Sequence, residues 1–383
     1  MNKDELLTRA VSNVTPKDLA EKKLKSGKPL RLYLGIDPTG AKLHIGHSVP
    51  LRKLKAFQDA GHHVIFLVGS FTAMIGDPSG RDKQREALTR EQVEENFETY
   101  KAQASKILDF DKVELRYNHE WLDPLDFKQI VDLASNFTVQ QMLERDMYQE
   151  RIKKGNPISL HEFLYPLMVG YDSVILDVDF EVGGNDQYFN MLAGRTLQTA
   201  LGKREKFVLT TKLIEGTDGR KMSKTYNNCI YIDDEANDMF GKVMSVNDNL
   251  MEVYFECCTD VPMDEVKKIL KGSPREAKAR LAKEIVTLYH SAEAAEAGEK
   301  EFENVFKGGG VPDDMPEAKV KKGSALIDVL VDEGLIASKS EARRLVEQGG
   351  IKLNDTPVSS IEAEVEEGIC KVGKRKFLKL SLK

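Results

Sequence analysis

Cysteine is scarce in this chain. Its four cysteines, Cys229, Cys257, Cys258 and Cys370, are spread over 383 residues. Two are adjacent and none shows metal-ligand or redox spacing. That excludes a disulfide scaffold and a zinc ribbon, and it fits a reducing compartment. Long apolar runs are missing too. No stretch approaches a membrane span, and Met1-Asn2-Lys3-Asp4-Glu5 has no apolar signal core, so a cytoplasmic protein without a membrane partner is expected. Excess positive charge is also absent. A net charge of −6 excludes a wholesale nucleic-acid coat and leaves room for a local basic patch. There is no short-period internal repeat. The length exceeds one small core and points to two or three domains of ordinary soluble composition.

What is present is organised around Leu43-His44-Ile45-Gly46-His47. Arg31 to Ile36 reads as a strand that runs into a turn carrying Pro38 and Gly40. After the histidines, Leu51, Leu54 and Phe57 recur with helical spacing, which predicts a helix over 48–60 with Pro50 in its first turn. Two histidines thus stand where a buried strand hands over to a helix N-terminus, a place that gathers anions. Nucleotide phosphates are the expected ligand. A metal pair, or merely polar residues at a helix start, are the open alternatives.

His63 to Gly69 is a continuous apolar run, as in a strand buried on both faces of a parallel sheet. It ends in a loop from Ser70 to Gly80 rich in turn residues. A βαβ unit follows from this, with its loops at the carboxyl ends of the strands, where ligands bind. Residues 1–30 look like a helical, charged lead-in. A long helix is expected from Thr89, where Thr89 and Gln92 match a capping box, to about Leu108. Strands are expected at Val113–Tyr117 and Phe207–Thr211, and a helix over 188–201. Between them, residues 120–180 read as mostly helical, an insertion into the α/β alternation. Gly219-Arg220-Lys221-Met222-Ser223-Lys224-Thr225 is polar and bears two motif lysines. Residues 234–306 have a helical pattern, and Lys307 to Pro316 reads as linker. Beyond it, helices near 324–333 and 339–348 and short terminal strands make a small α+β module.

His44-Ile45-Gly46-His47 together with Lys221-Met222-Ser223-Lys224-Thr225 resembles the two signature motifs of the class I aminoacyl-tRNA synthetases. Tyr33-Leu34-Gly35-Ile36-Asp37-Pro38-Thr39, Gly76-Asp77-Pro78-Ser79-Gly80, Tyr165 with Gly170-Tyr171-Asp172, and Gly183-Gly184-Asn185-Asp186-Gln187 narrow the resemblance to the bacterial tyrosyl-tRNA synthetases, over nearly the whole chain. The resemblance implies four parts. A Rossmann-like parallel-sheet catalytic domain spans 1–232, with the helical insertion at about 120–180. An α-helical anticodon-binding domain spans 233–306, around Pro274-Arg275-Glu276-Ala277-Lys278. A linker spans 307–322, and an S-four-type RNA-binding domain spans 323–383.

The resemblance also implies roles. ATP and L-tyrosine are the small substrates and tRNA(Tyr) is the acceptor. Mg²⁺ comes with ATP, without a dedicated protein metal site. A homodimer is expected, with the insertion at its interface. Thr39 and His44 would bind the γ-phosphate in the transition state, and His47 the ribose side. Lys221 and Lys224 would close on the leaving pyrophosphate, with Arg81 and Arg85 assisting. Gly35, Asp37, Gly46, Gly184 and Asp186 complete the ATP side. Tyr33 and Asp172 would hold the phenolic hydroxyl of tyrosine, Asp77 and Tyr165 its ammonium, and Gln187 its carboxylate. Phenylalanine would leave that polar pair unpaired. Two departures stand out. Thr225 replaces the usual serine and keeps the hydroxyl. Val169 stands where the family usually has glutamine, which removes one amide from the ammonium site.

Residues 338–354 resemble the RNA-binding module first recognised in a small-subunit ribosomal protein. Residues 321–383 hold 12 basic and 10 acidic residues, but from Cys370 onward six are basic and none acidic. Arg343, Arg344, Lys374, Arg375 and Lys376 are the candidate RNA contacts. Two other readings compete with tyrosine activation. One is another nucleotidyl transfer on the same frame, such as tryptophan activation or a cytidylyltransferase-like reaction. The other is a non-catalytic RNA-binding scaffold, which would have no need of the histidine and lysine motifs.

Overall fold

The structure is a computed structural model that describes residues 5–40, 42–77, 88–222, 226–307, 315–354, 356–373 and 376–382. The chain divides into two compact units. One comprises Met1–Glu235 with Lys242–Ser291, the other Ala236–Gly241 with Ala292–Lys383.

The first unit begins with β1 (Val11–Thr15), α1 (Lys17–Lys25), β2 (Arg31–Ile36), α2 (Ile45–Asp59) and β3 (His63–Val68). After α3 (Thr72–Ile75) and α4 (Arg90–Ala104) comes β4 (Glu114–Tyr117). The insertion follows as α5 (His119–Leu122), α6 (Phe127–Ala134), α7 (Val139–Leu143), α8 (Asp146–Lys153) and α9 (Leu160–Leu176). Then β5 (Phe180–Gly184), α10 (Tyr188–Ala200) and β6 (Phe207–Thr211) resume the alternation. The sheet order is β1-β6-β5-β2-β3-β4, parallel except for β1. From β2 the chain winds to β3, and from β5 it winds the other way to β6. The carboxyl ends of β2 and β5 therefore flank the crevice where such sheets bind ligands.

Two expectations need correction. The opening segment is not all helix, because Val11–Thr15 forms an antiparallel edge strand on β6. Ser12 and Asn13 break the apolar alternation that would have revealed it. Helix α2 starts at Ile45, three residues before the expected start, so Pro50 lies inside the helix. Proline has no N–H to offer the carbonyl four residues back, so Gly46 forgoes that helical bond. Thr89 and Gln92 do form the expected capping box.

One face of the sheet carries Tyr33, Ile65 and Leu67 against Trp121, Leu122, Leu176 and Val178. On the other face Phe57 of α2 meets Phe180 edge-on at 4.8 Å, and Phe180 stacks on Phe207 at 4.4 Å. The helical stretch after the sheet comprises α11 (Ala236–Met244), α12 (Met251–Cys258), α13 (Met263–Ile269), α14 (Pro274–Tyr289) and α15 (Ala292–Lys307). The buried Arg9 guanidinium ties the C-terminal end of α12 to the N-terminal segment. It donates to the carbonyls of Glu256, Phe255, Thr259 and Val261 at 2.8–3.3 Å.

In the second unit Phe240 packs on Phe302 of α15 at 5.9 Å. Its small module holds β7 (Glu317–Val320), α16 (Leu326–Asp332), α17 (Lys339–Glu347), β8 (Ile351–Leu353), β9 (Thr356–Pro357), β10 (Gly368–Val372) and β11 (Lys376–Leu382). The sheet order is β7-β11-β10-β8-β9, and both helices cover a core of Leu326, Leu330, Ala342, Ile351, Cys370 and Leu378. Strand β7 falls inside the expected linker and pairs in parallel with β11, so the module begins earlier than the turn-rich sequence implied. Each of the four cysteines is buried, and none forms a disulfide. No helix among the described residues is long and apolar enough to cross a membrane.

Phe180 is fully buried between α2 and β6. Phe180→Ala should lower the stability of the first unit by about 3–5 kcal/mol. Urea unfolding followed by the fluorescence of Trp121, the one tryptophan, measures it.

Candidate active site

The histidine motif forms the first turn of α2. His44 is the N-cap, and its Nδ1 accepts the Gly46 N–H at 3.2 Å, while the His44 N–H donates to Nδ1 of His47 at 3.2 Å. This reciprocal box satisfies two helix-end donors. With both Nδ1 atoms accepting, each ring carries its proton on Nε2. The two rings stack at 3.8 Å. Desolvation lowers His44 to about 3, and the neighbouring His47 adds to the effect. His47 keeps an exposed edge, yet desolvation lowers it to about 4. Both are therefore neutral N–H donors at pH 7, suited to phosphate or ribose oxygens.

The lysine motif is brought to them by the backbone that follows it. The Ile45 N–H donates to the Ile230 carbonyl and the Ile232 N–H to the Leu43 carbonyl, each at 2.9 Å. His44 and Tyr231 form the bridge between these bonds. Lys221 is exposed and Met222 buried, and a Cβ on Gly46 would lie 3.4 Å from the Met222 sulfur and 2.9 Å from the His44 ring. Glycine at 46 thus makes room for the His44 ring, while Met222 of the lysine motif lies at ordinary contact distance. The backbones of Lys221 and Glu215 form an isolated antiparallel β-bridge, and the Lys221 charge acts on Asp186, whose carboxyl is raised by desolvation and by Asp77. Lys224, Arg81 and Arg85 lie outside the described residues.

The carboxyl ends of β2, β3, β4 and β5, together with α9, carry hydrogen-bonded polar groups. Tyr33 and Asp172 are both buried, at 1% and 3% exposure. Asp172 accepts from the Trp121 indole at 2.8 Å and from the Asn118 amide at 3.3 Å. Burial raises it well above the usual carboxylate range, against those two hydrogen bonds. Asn118 also donates to Thr72, and Thr72 donates to Asp37 at 2.7 Å. The Tyr165 hydroxyl donates to Asp37 at 2.8 Å. Burial, then Asp37 and Asp77, keeps that phenol protonated. Gln187 donates to Asp77 at 2.7 Å.

Tyr165, Val169 and Asp172 recur at helical spacing on α9, so they share a face. Val169 is half-buried there. Asp37, expected on the ATP side, is hydrogen-bonded to Tyr165 and Thr72. Thr39 follows in the turn, where its N–H donates to the Asp37 carbonyl at 2.8 Å. Gly35 is exposed on β2, and Gly184 closes β5 beside Asp186. Sequence reasoning missed Thr72, Asn118 and Trp121. Asn118 directly follows β4, and the carboxyl end of a parallel strand is a place from which to suspect it.

In the second unit Arg343 and Arg344 are exposed on α17. The Lys376 ammonium donates to the Leu335 carbonyl at 2.5 Å. Lys374 and Arg375 lie outside the described residues. No group of three His, Cys, Asp or Glu side chains among the described residues is arranged to hold a metal.

The depressed histidines bear on pH. Each binds a proton more weakly folded than unfolded, so their contribution to stability is full above about 6.5 and falls as the pH drops towards their folded values. In isotope-labelled protein, the imidazole signals of His44 and His47, assigned by single substitution, should not titrate between pH 8 and about 5.5.

Two family models match the chain. One describes tRNA synthetases class I (W and Y) and covers residues 25–307, and the other describes the tyrosine–tRNA ligase SYY-like C-terminal domain and covers residues 308–377. The tyrosine–tRNA ligase of Photobacterium profundum is 44% identical over 385 residues, 98% of each chain. That of Bordetella pertussis is 48% identical over 366 residues, 93% of this chain and 90% of its own. A C-terminally truncated mitochondrial tyrosyl-tRNA synthetase of Aspergillus nidulans superposes with a TM-score of 0.66 at 26% identity, over 77% of this chain and 91% of its own. The chain belongs to the class I tRNA synthetases of the tryptophan and tyrosine group, and within them to the tyrosine–tRNA ligases.

Proposed function

We propose that this site joins L-tyrosine to ATP, releasing pyrophosphate, and then passes the tyrosyl group to the 3′ end of tRNA(Tyr). The observation that supports the reading is the backbone pairing of Leu43 and Ile45 with Ile232 and Ile230, beside which Met222 of the lysine motif lies against Gly46 of the histidine motif. In the first step the tyrosine carboxylate attacks the α-phosphorus and the pyrophosphate oxygen leaves. No protein nucleophile is needed. Positioning and stabilisation of charge are the protein's task.

In this reading the neutral His44 donates to the γ-phosphate with Thr39, and His47 faces the ribose side. Lys221, with Lys224, Arg81 and Arg85, balances the charge that grows on the leaving pyrophosphate. Mg²⁺ arrives with ATP. Gly35, Gly46, Gly184 and Asp186 border the nucleotide. Tyr33 and Asp172 hold the substrate hydroxyl, Asp77 and Tyr165 the ammonium, and Gln187 the carboxylate. Asp37 fixes Tyr165. Val169 leaves the ammonium site less polar, so Asp77 carries more of that contact.

Residues 1–232 form the catalytic part in this reading, 233–306 bind the anticodon end, and the module after the linker grips tRNA through Arg343, Arg344 and its basic end at 374–376. The reaction belongs in the cytoplasm, with its tRNA. A homodimer is supported by large apolar side chains left exposed in the insertion. Phe127 is 81%, Leu160 79% and Val139 67% exposed, more than a solvated face calls for.

Amino-acid-dependent ATP–pyrophosphate exchange tests the reading. Exchange should be far more efficient with tyrosine than with phenylalanine or tryptophan, and its absence with tyrosine would overturn the assignment. Lys221→Ala should lower kcat about 10²–10³-fold with little change in the KM for tyrosine. Replacing Arg343 and Arg344 by alanine together should raise the KM for tRNA and flatten its salt dependence, while exchange stays intact.

A further inference from the structure

Beneath the pocket lies a charged pair that none of these roles uses. The Lys206 side chain is 0% and that of Glu181 7% exposed. The Lys206 ammonium donates to Glu181 Oε2 at 2.5 Å, to Ser173 Oγ at 2.6 Å and to the Met191 carbonyl at 3.2 Å. An ammonium has three N–H bonds, and each is placed. Ser173 Oγ lies in turn 2.9 Å from the Tyr33 hydroxyl oxygen, and the ammonium stands 5.5 Å from the centre of the Tyr33 ring.

The fold dictates this convergence. Tyr33 on β2 is in register with Glu181 on β5, so both side chains leave the sheet on one face. Lys206 directly precedes β6, the next strand over. Ser173 follows Asp172 on α9. Gly194 of α10 completes the arrangement, since a Cβ there would stand 2.3 Å from Ser173 Oγ and 2.4 Å from the Lys206 ammonium. A buried ion pair is a poor source of stability, and an apolar pair of like volume often serves as well or better. This one is built against a single hydroxyl.

We infer that Lys206, Glu181, Ser173 and Gly194 form a positioning set for the Tyr33 hydroxyl, and through it govern how strongly a phenol is preferred to a plain phenyl ring. The inference rests on the tyrosine pocket proposed above. With one lone pair of Ser173 Oγ taken by the ammonium, the polarised Ser173 O–H donates to the Tyr33 oxygen. The Tyr33 hydroxyl is then held in a fixed place beside Ser173 and Glu181, where the hydroxyl of a bound phenol meets it. Without the set, that hydroxyl rotates and its proton has no fixed direction.

The test is ATP–pyrophosphate exchange with tyrosine and with phenylalanine, using full-length wild type, Ser173→Ala and Gly194→Ala, each checked for folding by its circular-dichroism melt. Ser173→Ala should raise the KM for tyrosine about tenfold, as expected for one hydrogen bond in a buried site. The kcat and the KM values for ATP and phenylalanine should stay as in wild type. Gly194→Ala displaces the ammonium and the serine hydroxyl without removing either, and should give the same split. Folded variants that keep the wild-type tyrosine-to-phenylalanine ratio, or that lose both amino acids equally, overturn the inference and leave the tyrosine pocket standing. A Ser173→Ala chain that fails to fold assigns the set to stability and also overturns it. A wild type that does not prefer tyrosine overturns the pocket, and the inference with it.

Discussion

Two backbone hydrogen bonds hold the catalytic geometry together. Ile45 to Ile230 and Leu43 to Ile232 join segments that are far apart in sequence. Without them, the helix N-terminus and the lysine-bearing segment would be two ordinary surface features. With them, the neutral N–H donors of His44 and His47 lie against the segment that follows Lys221 and Met222. The pairing falls at the entry to a helix, where unsatisfied backbone N–H groups already favour an anion. Main-chain bonds also make the arrangement indifferent to most side-chain changes at 230 and 232, provided these stay buried.

The pocket behind is built on another principle. It buries ionisable groups and links Asp172, Asp37 and Tyr165 through Asn118 and Thr72 in one hydrogen-bonded chain. Asp172 would be costly alone, and Trp121 and Asn118 stabilise its ionised form. Asn118 passes the connection to Thr72, and Thr72 passes it to Asp37 and so to Tyr165. Such a network specifies one arrangement because any change strands a polar atom elsewhere. The pocket's polarity and its rigidity thus have a common cause.

Much of this was legible in the sequence. The runs at 31–36, 63–69 and 207–211 announce a parallel sheet because strands buried on both faces need no alternation. His44 to His47 and Lys221 to Thr225 could be read as a pair because together they resemble the two signature motifs of the class I synthetases. Other features resisted for physical reasons. Val11–Thr15 has β-branched residues at 11, 14 and 15 but no apolar alternation, and its place as a strand shows only in its pairing with β6. Glu317–Val320 is likewise a strand through its pairing with β11. The start of α2 was displaced by Pro50, which looks like a first-turn residue but is tolerated deeper in the helix. Asn118 offered only its position after β4 as a signal, and Trp121 and Thr72 offered none, since their significance lies in what they touch across the fold. Asp37 was assigned by its neighbours in the chain, whereas its partners in space are Thr72 and Tyr165.

The handful of cysteines has a practical side. All four are buried, and burial pushes the thiols of Cys257 and Cys370 up to about 12, with Cys258 raised as well. Thiolate is the reactive species, so these side chains are poor targets for maleimides and iodoacetamide at neutral pH. A cysteine introduced on the surface would be the preferred point of attachment for a dye or spin label, with the native thiols left in place. Distances within the working protein thus become measurable without first stripping its core.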